Sequence, residues 1–186
     1  MKQFLFAATL AVLPMAGFCF DQAEVDAKVK ADLAAKIEGS AVIVEAIKAQ
    51  NAKNAGMDQA AIDAADKAWR AETKADAKPT IDAILATPAS GELKAMVDGS
   101  DGFYTEIFVM DNKGLNVAQS GQTSDLWQGD EDKFSRSFGA GDNGYFTDEV
   151  QFDESSKSFS TQVSAAVKDP ATGKAIGAVT FGVSAK

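Results

Sequence analysis

The sequence predicts an α+β fold, in which a long N-terminal helix and further helices pack on a five-stranded antiparallel sheet. Three observations predict it. Apolar residues recur at steps of three and four up to about residue 101 and alternate with polar ones after 102. The alternating runs are joined by connections of hairpin length. A chain of 186 residues is long enough to bury one sizeable core, so both halves can share it.

From Asp21 to about Lys53, Val25, Val29, Leu33 and Ile37 fall four apart, with Lys28, Lys30, Asp32 and Lys36 between them. That is the apolar stripe of one helix. Gly39-Ser40 is a place to bend it before Val42, Ile43, Val44 and Ile47 continue, and Asn54-Ala-Gly56 ends it. A second helix spans about Asp58 to Lys74 with Ile62, Ala65 and Trp69 on one side. Pro79 opens a third through Ile81, Ile84 and Leu85. Pro88 opens a fourth with Leu93, Met96 and Val97, stopped by Asp98-Gly99.

The second half reads as strands. Phe103–Met110, the turn Asp111-Asn-Lys-Gly114 and Leu115–Ser120 form a hairpin. Residues 121–129 are loop and carry Trp127. Asp130 is placed to cap a short helix with Phe134 and Phe138 at i, i+4 spacing. After a loop with Gly139, Gly141 and Gly144, three strands follow: Tyr145–Asp153, Lys157–Lys168 and Ala175–Ser184. The stripe of the first helix needs an apolar partner, and one face of the sheet is the surface available.

The N-terminus has a character of its own. Lys2 precedes an apolar run from Phe4 to Met15, broken only by Thr9, and small residues follow. This is the three-part pattern of a cleavable signal peptide, and the run falls short of the about 20 apolar residues needed to span a bilayer. Cleavage fits after Cys19 or after Gly17. The expected organisation is a leader at 1–19 and one domain at 20–186, helical over 20–101 and sheet-forming over 102–186. Phe18 is too large for a lipoprotein processing site. If Cys19 leaves with the leader, the domain has no cysteine and no disulfide.

Composition excludes several chemistries. The formal charge of −9 argues against nucleic acid and anionic membrane surfaces as partners. Histidine is absent, which removes the usual general base and the commonest metal ligand. Without cysteine, thiol catalysis and structural zinc also go. Asp98-Gly-Ser-Asp-Gly102 and Asp142-Asn-Gly144 lack the twelve-residue calcium-loop spacing and read as turns. Carboxylate-pair hydrolysis stays formally open, but no pair stands out among 27 acidic residues. No enzyme, metal or cofactor is implied, and no second apolar run reaches membrane length.

From Ile107 onward the sequence resembles the extracytoplasmic Cache, or PDC, sensor domains of bacterial chemoreceptors and sensor kinases, a PAS-like family. The resemblance rests on Phe108-Val-Met-Asp-Asn-Lys-Gly114, Val117-Ala-Gln-Ser120 and Asp125-Leu-Trp-Gln-Gly-Asp130. It continues in Thr161-Gln-Val-Ser-Ala-Ala-Val-Lys-Asp169 and Gly173-Lys-Ala-Ile-Gly-Ala-Val179. Ala166 stands where the family often has proline. The resemblance implies a non-enzymatic periplasmic or secreted module that binds a small carboxylate, amino acid or amine between one sheet face and the Trp-bearing loops. Such receptors carry membrane spans and an output module. With only a removable leader in this sequence, the expectation is a free-standing domain whose bound state is read by a partner such as a membrane receptor or kinase.

Five residues are the candidate ligand contacts, each with a plainer alternative. Trp127 can wall the pocket or plug the sheet edge. Asp130 can hold an amine or cap its helix. The Tyr145 hydroxyl can reach the cleft or pack at a strand end. Gln162 and Ser164 share one strand face, which lines a pocket or meets solvent. Arg136, outside these five, can clamp a carboxylate, but on a short exposed helix the plain surface role is preferred. A polar cleft at Gln162 and Ser164 would favour ligand binding; a closed apolar one would favour a structural or protein-interaction role.

Overall fold

The computed structural model describes residues 21–153 and 158–185. The leader read at 1–19 and the turn Glu154-Ser-Ser156 lie outside the described residues.

Helix α1 (Gln22–Asp32) starts at Asp21, whose Oδ1 accepts from the Ala23 and Glu24 amides. A π turn (Leu33–Ile37) continues it, closed by the Glu38 amide on the Leu33 carbonyl at 2.8 Å. This turn has a sequence cause. At 3.6 residues per turn, a stripe repeating every four residues drifts about 40° per step. The wider π turn reverses that drift, so Ile37 is buried along with Val25 and Val29. The bend at Gly39-Ser40 is where α2 (Ala41–Asn54) begins, with Ser40 Oγ accepting from the Ile43 amide. Helices α3 (Gln59–Glu72), α4 (Pro79–Leu85) and α5 (Pro88–Asp98) follow as read, the last two opened by their prolines.

The sheet is antiparallel throughout. Its strands are β1 (Tyr104–Met110), β2 (Asn116–Gln119), β3 (Tyr145–Thr147), β4 (Gln151–Asp153), β5 (Ser158–Lys168) and β6 (Ala175–Ser184). The order is β2-β1-β6-β5-β3, with β4 also paired to β5. Among the described residues there are therefore six strands rather than five, because the run Tyr145–Asp153 is split. Thr147 pairs with Val163 and Gln151 with Ser160, so Asp148, Glu149 and Val150 oppose only Thr161 and Gln162. One extra residue makes a bulge, which ends one strand and starts the next.

Between β2 and β3 lie α6 (Asp132–Ser135) and a 3-10 turn (Phe138–Ala140). Two expectations are corrected here. Asp130 does not cap this helix: it is exposed in a turn closed by the Glu131 amide on the Gln128 carbonyl, and Glu131 takes the cap position without a side-chain bond. Phe138 lies beyond the helix, on the 3-10 turn, although its ring still stacks on Phe134 at 5.3 Å.

The two sheet faces are covered unequally. Ile107, Val109, Val163, Val179, Phe181 and Val183 meet Val25, Val29, Ile37, Ile43, Ile47 and Leu93 in one large core. On the opposite face the described apolar residues packed on Phe108, Met110 and Ala178 are Phe134 and Phe138.

Candidate functional site

The thinly covered face carries a cleft of about 440 Å³. Its walls are α6 with the residue before it (Glu131, Asp132, Lys133), the bulge and start of β4 (Asp148, Glu149, Gln151), and β5 (Ser160, Thr161, Gln162). Local structure opens it. A single-turn α6 covers little of the sheet. The bulge also breaks strand alternation, which brings the consecutive residues Asp148 and Glu149 to the same cleft. The bulge is pinned by Thr161 Oγ1 donating to the Asp148 carbonyl at 2.7 Å, and by the Asp148 amide donating to the Gln162 carbonyl.

The cleft is acidic. Among the described residues, Glu131, Asp132, Asp148 and Glu149 line it with one cation, Lys133. That ammonium is already engaged: it lies 3.0 Å from Glu131 Oε2, donates to Gln128 Oε1 and sits 5.7 Å from the centre of the Phe108 ring. Arg136 is also occupied, with its guanidinium 3.9 Å from the Phe146 ring and 3.6 Å from Asp132. These cation–ring contacts tie α6 and the residue after it to the sheet. Among the described residues, no three carboxylates converge as a metal site would require.

The five sequence candidates fall in different places. Gln162 lines the cleft, and its Nε2 donates to Glu106 Oε1 at 3.0 Å. Ser164, further along the same face, is fully buried and shares a hydrogen bond with Thr180. Asp130 is exposed in the turn beside Glu131. Trp127 belongs to the β1–β2 end of the sheet: its Nε1 donates to the Lys113 carbonyl, its amide donates to Asp66, and it bridges Leu115. Tyr145 is turned to the helical face, where its hydroxyl donates to Asp26 Oδ1 at 2.9 Å and Lys30 lies over its ring. Burial, reinforced by the Asp26 carboxylate, pushes that phenol well above the ordinary tyrosine range.

Glu131, Asp132, Lys133, Asp148 and Glu149 also line the cleft and were not singled out from the sequence. One signal was present. Adjacent carboxylates at Asp148-Glu149 interrupt the alternation of Tyr145-Phe-Thr147, which is how a bulge looks in sequence.

The order of elements is the one implied by the sequence resemblance: long helix, strand, acidic turn, Trp-bearing loop, short helix, then the Gln162-Val-Ser164 strand and the Ile176-Gly-Ala-Val179 strand. No family model and no curated relative matches the sequence. Solved structures do. One is the ligand-binding domain of the Campylobacter jejuni chemoreceptor Tlp3 in complex with 4-methylisoleucine, at 15% identity and TM-score 0.40, covering 83% of this chain and 59% of that one. Another is the sensor domain of the V. cholerae histidine kinase DctB, at 11% identity and TM-score 0.43, covering 87% and 49%. A third is the ligand-binding domain of the Pseudomonas aeruginosa amino acid chemoreceptor PctC in complex with GABA, at 10% identity and TM-score 0.37, covering 87% and 59%. This chain spans about half to three-fifths of their lengths. In layout it is similar to the sensor domains of bacterial chemoreceptors and a histidine kinase.

Proposed function

We propose that this chain is an exported, non-enzymatic ligand-binding module of Cache type, and that it takes a small amine-bearing molecule in the cleft between α6, the bulge and β5. The observation that supports this reading is the cleft's charge. Among the described residues four carboxylates line it, and the lysine there, Lys133, is neutralised by Glu131 and held by Gln128. A carboxylate ligand would meet unrelieved repulsion there, whereas an ammonium group would find acceptors on several sides. Within the class of carboxylates, amino acids and amines, the reading therefore narrows to molecules with an ammonium group. Gln162 and Ser160 are proposed as the hydrogen-bonding wall, and Asp148 and Glu149 as the charged one. Ser164 and Tyr145 are then supports, holding the sheet and α1. The leader at 1–19 supports a periplasmic or secreted location, and no helix among the described residues is long and apolar enough to cross a membrane.

A second reading has its own observation. At the Ser164 end of the same face, Phe134 and Phe138 already cover Phe108, Met110 and Ala178. A face closed in that way suits a protein-interaction role with no small ligand. A thermal-shift screen separates the two. A ligand at 100 times its dissociation constant stabilises the fold by about 2.7 kcal/mol. Primary amines and amino acids are expected to raise Tm, and carboxylates without an amine are not. The response should vanish in Asp148→Asn/Glu149→Gln. A flat response to every amine would sink the ligand-binding reading and leave the interaction reading standing.

A further inference from the structure

A second concavity of about 390 Å³ lies away from the acidic cleft, where α2, α3 and α4 meet the edge strand β2. Most of its wall is apolar: Met57, Ala65, Ala83, Ile84, Leu115 and Leu126. The remainder is largely amide, from Gln50, Asn54 and Asn116, with Thr80 and Lys53 completing the lining. Its size falls within the range of about 300–1,000 Å³ usual for small-molecule sites, and an apolar wall with a few convergent polar groups is their usual make-up.

The amides decide what such a molecule must carry. Gln50 Nε2 donates to Asp111 Oδ2 and to the Leu115 and Asn116 carbonyls. Asn54 Nδ2 donates to Asp111 Oδ2 at 2.8 Å. Asn116 Nδ2 donates to Gln119 Oε1, Thr123 Oγ1 and the Asp125 carbonyl. Gln50 and Asn116 spend both N–H groups on the protein and Asn54 spends one, so oxygen is what the Gln50 and Asn116 amides have left to offer. Asn116 is 1% exposed, and its Oδ1 accepts from no donor among the described residues. A buried acceptor without a donor costs free energy that a bound donor recovers. The Asp111 carboxylate behind this wall is no rival, because it already takes the two side-chain amides and the Lys113 and Leu115 backbone amides.

We infer that this groove is a second binding site, for a small uncharged apolar molecule that carries one N–H or O–H donor. The donor meets the amide oxygens and the apolar body covers Met57, Ile84, Leu115 and Leu126. The site is independent of the acidic cleft: it lies on the helical side of the edge strand and calls for no charge on the ligand.

Indole and indene are the matched probes, since they share size and shape and differ in the N–H donor. Proton–nitrogen NMR titration of the purified protein is expected to show saturable indole shifts confined to the backbone amides of Met57, Ile84, Leu115 and Leu126 and their neighbours. Indene should bind about fivefold more weakly, as befits one lost hydrogen bond. Ala83→Trp, an exposed substitution on α4 that fills the groove, should abolish the indole shifts while leaving the rest of the spectrum folded. Ala65→Leu fills it from α3 and serves if the tryptophan disturbs α4. Shifts that do not saturate, equal binding of indene, shifts centred elsewhere, or indole binding that survives both filled variants would each overturn the inference.

Discussion

The two faces of this sheet use the same alternating strands and reach opposite ends. The face under α1, α2 and α5 is sealed: the side chains of Val29, Ile37, Ile43, Ile47, Leu93 and Phe181 have no exposed area. The other is covered by a four-residue helix and a three-residue turn, with the small apolar cluster of Phe108, Met110 and Ala178 beneath them. Long amphipathic helices supply enough apolar side chains to close a sheet face, whereas a single turn supplies two rings and stops. The contrast shows how one domain can be closed and open at once: the apolar core is concentrated on one face and a cleft is left on the other.

Mutations should separate the faces in proportion to that difference. Phe181→Ala, in the sealed core, should cost about 3–5 kcal/mol in a urea melt, while Phe134→Ala on the half-covered face should cost about 1–2 kcal/mol. Equal costs would break the comparison. Gly144→Ala should be next in size. A Cβ at Gly144 would overlap the Ser137 carbonyl, so the 3-10 turn must move off the sheet at about 1–3 kcal/mol, with the cleft deformed as well. A Gly144→Ala protein of unchanged Tm and unchanged amine response would show that this cover is loosely held.

Tyr104→Phe probes how the sealed face is pinned. Its hydroxyl donates to Asp32 Oδ2 at 2.7 Å, where Lys28 and Lys36 also converge, and its loss should cost about 1–2 kcal/mol. Burial pushes the Asp32 carboxyl up, but hydrogen bonds from Tyr104, Lys28 and Lys36 outweigh it and hold the group below its ordinary 3.8. A carboxyl depressed in the fold contributes stability that is complete above 3.8 and is lost as pH falls through the lower folded value. Asp32→Asn should therefore flatten the acid limb of the stability–pH curve below about pH 4 and leave the acid limb set by other groups. An unchanged limb would remove Asp32 from the account. The smallest stability effect belongs to Asp148→Asn/Glu149→Gln, within about 0.5 kcal/mol because Glu149 is exposed and an asparagine at 148 keeps the oxygen that accepts from the Glu149 amide, even though the amine response is expected to vanish. A large loss of stability there would mean that the two carboxylates serve the fold rather than a ligand.

The helices and the sealed core were legible from one sequence because each rests on a local rule. The four-residue stripe of Val25, Val29, Leu33 and Ile37, the start at Asp21, the bend at Gly39-Ser40, the prolines at 79 and 88, and the alternation through Val163 and Val179 all act over a turn or a strand. Of the residues that line the cleft, the sequence pointed only to Gln162. Tyr145 reads the same way whether it faces a cleft or α1, because strand phase alone does not say which face lies under the long helix.

The sequence by itself determined the α+β division, the boundaries of α3, α4 and α5 to within about two residues, and the pairing of apolar helix stripe with apolar strand face. Those follow from periodicity and from caps, which are short-range. Tertiary structure alone decided which sheet face remained open, that the run Tyr145–Asp153 breaks at Asp148–Val150, and that Trp127 turns to the Lys113 carbonyl instead of the cleft. Each depends on register and docking between segments far apart in the chain. A one-residue mismatch in register carries Asp148 and Glu149 together to one place, and no local pattern sets the strand they are matched against.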